Sequence, residues 1–578
     1  MVKRIYVIIL LLISVQTFDL SAQRPMDFKV SVKSSVQVGT NSLQPLWSYS
    51  NQWGTENMFD QANFRLYAKA TGGWKTERMV TLKYSGLHTP HSTDSVVPLF
   101  SVNLGLAAQL STADNHTFIH EGYVTGNLWI FDYTLGLHAF TPIVTNNELS
   151  SGSYLMSSNS RPLPRVGVGL FKYWSLPFTW NLIQLRGGLF FSYMDNEGNR
   201  SYTDDILFHE KYAYGRLGTP FVKPYVGIVH SVMMGGKLPT GVSTPIDFWN
   251  SFFGRSGSKS KFENPSMRGE ITNAAGGHQG MWDIGLDVDV MNVSVTVYYQ
   301  RPFSDSKAQP LFFHHEDGNS AKDKTVGVDV RLPFSWLKHI NLEYVKTDWQ
   351  GSIGTPDPVV IDKHGKIIYF FPGDYAANVR GNWEEWMNEH IPAEYIESFN
   401  TEVRPIINAN DLYCLIVRCY NRDSFEYGGR TNYMSNSYFR QGWSREGLCM
   451  GSAFFHTNAI SSHYAPTGTI ESHTNMTNVR LLAVNFGISG SFNDRINYRF
   501  KYAYSHNYGS YIDRFKGAYS WEETENYFYG DDGLTEHYLL LEATYNLKEN
   551  LSFSAQITSD FGDMYDSSAL KISATYNF

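Results

Sequence analysis

The C-terminal run Leu570, Ile572, Ala574, Tyr576, Phe578 alternates strictly with Lys571, Ser573, Thr575, Asn577. The same period of two holds in Leu551, Phe553, Ala555, Ile557 and in Ile496, Tyr498, Phe500, Tyr502, Tyr504. Successive residues of an extended chain point to opposite faces, so each segment has one apolar and one polar face. A soluble sandwich turns its apolar faces to a second sheet; a membrane barrel turns them to lipid. The polar faces carry charges of both signs, at Arg65, Lys69, Asp287, Asp289, Asp329, Arg331, Arg499 and Lys571, a set that suits a wet lumen.

About eighteen such segments fit the chain, within the range of outer-membrane barrels. The first is placed at 60–71, the second at 76–87 and the last at 566–578, with Phe28 to Val36 as an additional candidate strand. The connections alternate in length. Short turns at Gly126-Asn127, Thr219-Pro220, Met291-Asn292, Asn493-Asp494 and Leu547–Asn550 interleave with long ones at 142–162, 237–279, 303–321, 351–474 and 509–535. A sandwich gives no reason for that asymmetry, whereas outer-membrane barrels have short periplasmic turns and long outer loops. The expected fold is an all-β, antiparallel transmembrane barrel of about eighteen strands with long extracellular loops and a lumen plug. The 351–474 stretch reads as a loop or plug insertion, partly helical around Asn382–Met387 and Ala393–Phe399.

The ends agree with export. Lys3 and Arg4, an apolar run from Ile5 to Val15, and Leu20-Ser21-Ala22 before Gln23 have the order of a cleaved signal peptide over 1–22, leaving a barrel over 23–578. No stretch beyond it is apolar enough for a membrane helix, and the mean hydropathy is −0.30. That value is no argument against a barrel, because only alternate strand residues meet lipid. The 37 Tyr, 37 Phe and 14 Trp suit aromatic girdles at the two membrane interfaces. A net charge of −8 implies no broad nucleic-acid-binding surface. The expected location is the outer membrane of a Gram-negative cell, among outer-membrane lipid and lipopolysaccharide. The terminal Phe578 resembles the signal read by the barrel-insertion machinery. Cys414, Cys419 and Cys449 permit one disulfide at most, either Cys414–Cys419 or Cys419–Cys449.

No catalytic set stands out, and a non-enzymatic protein without cofactor or metal is expected. His314-His315-Glu316-Asp317 and the turn holding Asp560, Asp563 and Asp566 have metal-ligand chemistry, but exposed acidic turns usually stay solvated. The clusters that do repeat mix aromatic rings with small polar groups and arginine. One runs from Pro45 to Gly54 through Trp47, Tyr49, Asn51 and Trp53; others hold Arg430 and Tyr433, then Arg440 and Trp443. Aromatic faces stack on sugar C–H groups and arginine pairs with the carboxylates of acidic sugars. The same aromatics would also pack a plug.

The chain resembles the capsule-assembly Wzi family in the form found in Bacteroidetes. The resemblance rests on Pro45-Leu46-Trp47 through Trp53-Gly54, Asn159 to Arg165, Leu207 to Lys211, Met233 to Gly236, Gly277-His278-Gln279-Gly280, Tyr427-Gly428-Gly429 with Gln441-Gly442-Trp443, and Tyr504 to Gly509, in that order. The stretch 355–425 has no counterpart in the pattern and reads as an insertion. The resemblance implies an outer-membrane lectin that anchors or assembles capsular or other surface polysaccharide, and it adds Arg161, His278 and Gln279 to the candidate sugar-binding residues. A porin or substrate-specific channel on the same architecture is the alternative; an outer-membrane hydrolase is a third class.

Overall fold

The computed structural model describes residues 27–578 except 86–92, 115, 142, 144–145, 265–269, 272–273, 304–322, 349, 351–358, 362–366, 371–433, 437, 494, 511, 515 and 517–523. The leader expected over 1–22, Cys414, Cys419, His314 to Asp317, the helices expected near 382–399, Arg430 and Tyr433 therefore lie outside the described residues.

Eighteen antiparallel staves form one closed ring. They are β1 (Asp27–Gly39), β2 (Ala62–Lys75), β3 (Phe100–Ser111), β4 (Phe118–Leu128), β5 (Phe131–Leu137) and β6 (Pro164–Ser175). Then come β7 (Ile183–Met194), β8 (Asp204–Leu217), β9 (Val222–Lys237), β10 (Gly277–Val290), β11 (Val293–Phe303) and β12 (Lys324–Arg331). The last six are β13 (His339–Lys346), β14 (Arg480–Phe492), β15 (Ile496–Gly509), β16 (Leu534–Lys548), β17 (Leu551–Gly562) and β18 (Ser567–Asn577). The ring closes where β1 pairs with β18, Ser31 opposite Asn577 and Val38 opposite Leu570. Closure leaves no unpaired edge, which a sheet surrounded by hydrocarbon requires.

The expected total of staves holds, but two of its members differ. The run at 28–36 is the first stave. The run at 76–87 is no stave: Met79–Ser85 pairs with Thr93–Pro98 in a hairpin between β2 and β3, which meets the ring where Tyr84 and Ser85 pair with Trp174 and Tyr173 of β6 and where Asn127 Nδ2 donates to Pro98 O. Stave β2 pairs directly with β3, Lys69 opposite Ala107, so the intervening alternation has no place in the ring.

Facing follows the period of two. Leu541, Phe553, Ile557, Leu570, Ile572, Val166, Val168 and Leu189 are exposed on the outside and form the apolar band. Trp129, Phe178, Trp180, Phe221, Phe334, Trp336, Phe492 and Phe578, all at the short-turn end, are exposed too and make an aromatic girdle there. This is an outer-membrane barrel: its wall offers an apolar belt with an aromatic rim, and its interior offers charge.

Several interior charges pair with one another. Arg65 meets Glu56 at 2.6 Å, Lys69 meets Glu121 at 2.5 Å, Arg216 meets Asp287 at 2.8 Å, and Arg499 meets Glu542 at 2.9 Å. Around Arg65 and Glu56 the outer half of the lumen is packed in place of the expected wet one, whereas Arg216 with Asp287 and Arg499 with Glu542 pair nearer the short turns.

Candidate functional site

Three segments fill the outer half of the lumen: 40–61 between β1 and β2, 146–163 before β6, and 434–479 before β14. The first carries the short helix α1 (Leu46–Tyr49), whose four residues are all buried. A helix this short leaves its N-terminal N–H groups unpaired, and the wall satisfies one: Leu46 N–H donates to Asp560 Oδ2 of β17 at 2.6 Å. The Trp47 indole lies beneath the Lys501 ammonium of β15, 3.4 Å from Nζ to the ring centre, and edge-on to Phe454 at 5.9 Å.

The second segment ties the other two together. Asn159 accepts from Asn51 N–H at 3.3 Å and donates to Cys449 O at 2.9 Å. Ser157 N–H donates to Met450 O at 2.8 Å, and Lys501 Nζ donates to Ser150 O at 2.9 Å. Gly54 has φ of +62° and packs on Arg161; an added Cβ would lie 2.6 Å from Arg161 Cγ, so the turn admits only glycine there. The third segment locks to the wall through Trp443 against Phe208, rings 5.4 Å apart, and through Gln441 Nε2 on Thr203 O at 3.1 Å. It carries one short helix, α3 by chain order (Asn458–Ser461).

Glu56 is the electrostatic pin. Beside Arg65 it also receives Lys571 Nζ at 3.1 Å, and all three side chains are buried. Burial alone would raise its carboxyl; Arg65, Lys571 and Lys33 reverse that and hold it at about 2. Deeper in the plug, burial keeps His456 neutral by lowering it to about 4 and pushes the free Cys449 thiol up to about 12.

The residues expected to bind sugar separate into groups. Trp47, Tyr49 and Trp443 are buried in the plug core, and Gln279 is buried facing the lumen. Asn51 and Trp53 are half-buried in a turn with positive φ, 56° at each. His278 lies elsewhere, on the outward face of β10, stacked 5.2 Å from His230. Arg440 is exposed, its carbonyl accepting from Asn475 N–H at 2.8 Å. Asp287, a conceivable partner for it, is instead held by Arg216 and Thr296.

Arg161 belongs to an outer ledge. Its guanidinium stacks 3.5 Å from the ring centre of Phe118, at the outer end of β4, and pairs with Glu446 at 3.2 Å. Glu446 N–H in turn donates to Glu197 Oε1 at 2.5 Å. Nearby, Phe59 and His463 stack at 4.1 Å with rings within 5° of parallel. Sequence reasoning missed Phe118, Glu197, Glu446, Phe59 and His463. Each joins its partner across a long stretch of chain, and none sits in a local motif. Asp560 and Asp563 also take separate partners, Asp560 with Leu46 and Asp563 with Thr535. Among the described residues no three His, Cys, Asp or Glu side chains converge to hold a metal.

Below the plug the lumen opens toward the short turns into a vestibule of about 690 Å³, lined among others by Lys29, Asn103, Tyr123, Asp132 and His138. A second cavity of about 360 Å³ lies under the Trp53–Glu56 turn.

No protein-family model and no curated protein matches the chain. Among solved structures it is similar to Wzi of Escherichia coli, described as an outer-membrane protein involved in group 1 capsule assembly and a carbohydrate-binding β-barrel, with 10% identity over 96% of this chain and 84% of that one and a TM-score of 0.47. It is also similar to OccK3 (OpdO) of Pseudomonas aeruginosa, with 8% identity, 96% of each chain and a TM-score of 0.39. OprD of the same organism gives 9% identity over 96% of this chain and 95% of that one, TM-score 0.37. The fold rests on the chain's own closed ladder of staves.

Proposed function

We propose that this barrel is a non-enzymatic anchor that holds capsular or other surface polysaccharide at its outer mouth. What supports the reading is the filled outer half of the lumen. A channel needs a polar path from mouth to vestibule, and Trp47, Phe454, Phe455, Met450, Trp443 and Tyr49 instead pack into one apolar cluster within the lumen. The outward side of the plug keeps the groups that recognise acidic sugars: exposed Arg440, the Arg161 and Glu446 ledge, and the stacked Phe59 and His463. In this reading Arg440 pairs with a sugar carboxylate and the aromatic pair offers a stacking face. Trp47, Tyr49 and Trp443 serve the site by packing the platform beneath it, while Asn51, Trp53, Arg430 and Tyr433 remain contact candidates. The alternative, a substrate-specific channel, draws on the vestibule and would require the plug to move.

The test is glycan retention. In a strain lacking the protein, surface polysaccharide should shed into the medium, and the wild-type gene should restore it; purified protein should bind the isolated glycan without shortening it. Normal retention in the deletion strain would refute anchoring, and a depolymerised glycan would move the protein to the hydrolases.

A further inference from the structure

The long connection between β9 and β10 goes the other way from the plug. Its described part carries the helix α2 (Phe248–Phe253) and a small core of Phe262 and Ala275 with Leu238, Val242 and Ile271. It lies against the outside of the wall. Stave β8 faces outward at His209 and Lys211, because Lys211 stands opposite Leu189, which is itself opposite lipid-facing Val168. Phe252 stacks on His209 at 4.9 Å and lies 3.6 Å under Lys211 Nζ, and Phe248 stacks on outward-facing Phe191 at 6.0 Å.

Height explains why a cover is needed. Lys211 is six residues up the strand from Leu217, roughly 15 Å above the inner rim at ~3.3 Å per residue and a tilt near 40°. The apolar band is roughly 25 Å tall, so bare Lys211 and His209 would face hydrocarbon. The lobe that shields them therefore sits in the outer leaflet. Its own outer face is apolar: Trp249 is 67% exposed, Phe253 51% and Ile246 42%.

Cations follow at once. Arg255, Lys259 and Lys261 are all exposed. Lys261 is engaged by Asp247 at 3.8 Å and by Ile246 O, while Arg255 lies 5.2 Å from the Phe253 ring. Among the described residues no carboxylate reaches Arg255 or Lys259, and Glu263 is the exposed acid nearest them in sequence.

We propose that this lobe is a binding site for the phosphorylated glycolipid of the outer leaflet, with Trp249 and Phe253 among its acyl chains and Arg255 and Lys259 on its phosphates. An aromatic face bordered by cations matches an anionic amphiphile. A second copy of the chain fits poorly, because a two-fold contact would set the same cations against each other. The inference uses the barrel's place in the membrane and is independent of the glycan reading.

The test uses the full chain in mild detergent, with bis-phosphorylated lipid A as probe and dephosphorylated lipid A as comparator, retention being read by native mass spectrometry. Wild type should retain the phosphorylated form at least tenfold better than R255E/K259E, and the two proteins should retain the dephosphorylated form equally. Heat resistance of R255E/K259E should match wild type, showing that the barrel is intact. As a second readout, Trp249→Phe should remove part of the fluorescence quenched by brominated lipid in vesicles. Equal retention by wild type and R255E/K259E, unchanged quenching in Trp249→Phe, or concentration-dependent dimers abolished by W249A/F253A would overturn the proposal.

Discussion

Two long loops of this barrel start from the same rim and end in opposite solvents. The 434–479 segment folds inward, where Trp443 and Phe454 meet the inward rings Phe208 and Tyr538 and Phe455 meets Tyr154 of the neighbouring plug segment. The lobe after β9 folds outward, where Phe248 and Phe252 meet His209, Lys211 and Phe191. Both are rich in aromatics, so hydrophobicity alone does not choose the side. The wall chooses: an inward face with buried charges and aromatic residues receives a plug, and an outward face with polar groups at membrane depth needs a cover. The plug then supports a platform at the mouth, while the lobe modifies the lipid-facing wall.

Removing each loop should break the comparison most openly. Replacing 351–478 by a short Gly-Ser linker should give steady conductance in planar bilayers and a large loss of heat resistance. Replacing 239–275 should give no conductance, because that loop closes nothing; conductance from the second deletion would show the lobe to be part of the seal.

Within the plug, Glu56→Gln strands Arg65 and Lys571 without their shared carboxylate. Leaving such buried cations unpaired costs about 3–5 kcal/mol, to be seen as a lowered unfolding temperature together with fluctuating conductance. The same group sets an acid window. Its folded pKa of about 2 lies below the ordinary value of 4.5, so the stability it contributes is present above pH 4.5 and fades as pH falls toward 2. Glu56→Gln should flatten that part of the pH profile; an unchanged acid transition would remove Glu56 from the role of pin.

On the wall side, Phe252→Ala removes the ring beneath Lys211, an interaction of about 1–2 kcal/mol. Proteases should then cut faster near Arg255, Lys259 and Lys261 while conductance stays at baseline. The smallest structural effect is expected from Arg440→Ala. Heat resistance should match wild type, but a lost charge-assisted hydrogen bond of about 1.5–3 kcal/mol should weaken glycan binding tenfold or more and flatten its salt dependence. Unchanged affinity would remove Arg440 from the site.

The staves were legible because lipid imposes a local rule: each faces hydrocarbon with every second residue, as Leu570 to Phe578 shows. Membership in the ring was less so, since the alternating run at 76–87 pairs into a side hairpin while the one at 28–36 closes the barrel. The direction of the loops was legible only in part: the sequence offered 351–474 as a loop or a plug, and gave no sign that the loop after β9 turns outward. The contacts that decide it, Lys501 on Trp47, Leu46 on Asp560 and Lys211 on Phe252, join residues far apart in sequence and leave no period behind. Candidate residues were found by type, but Trp47, Tyr49 and Trp443 show that aromatic-polar clusters also build cores.

The most direct measurement is single-channel recording of the purified wild-type protein in a planar bilayer, with and without surface glycan. An anchor resting on a packed plug should show no steady open level in either condition. A large, stable conductance that the glycan blocks would contradict it, and would make the barrel a channel for that glycan.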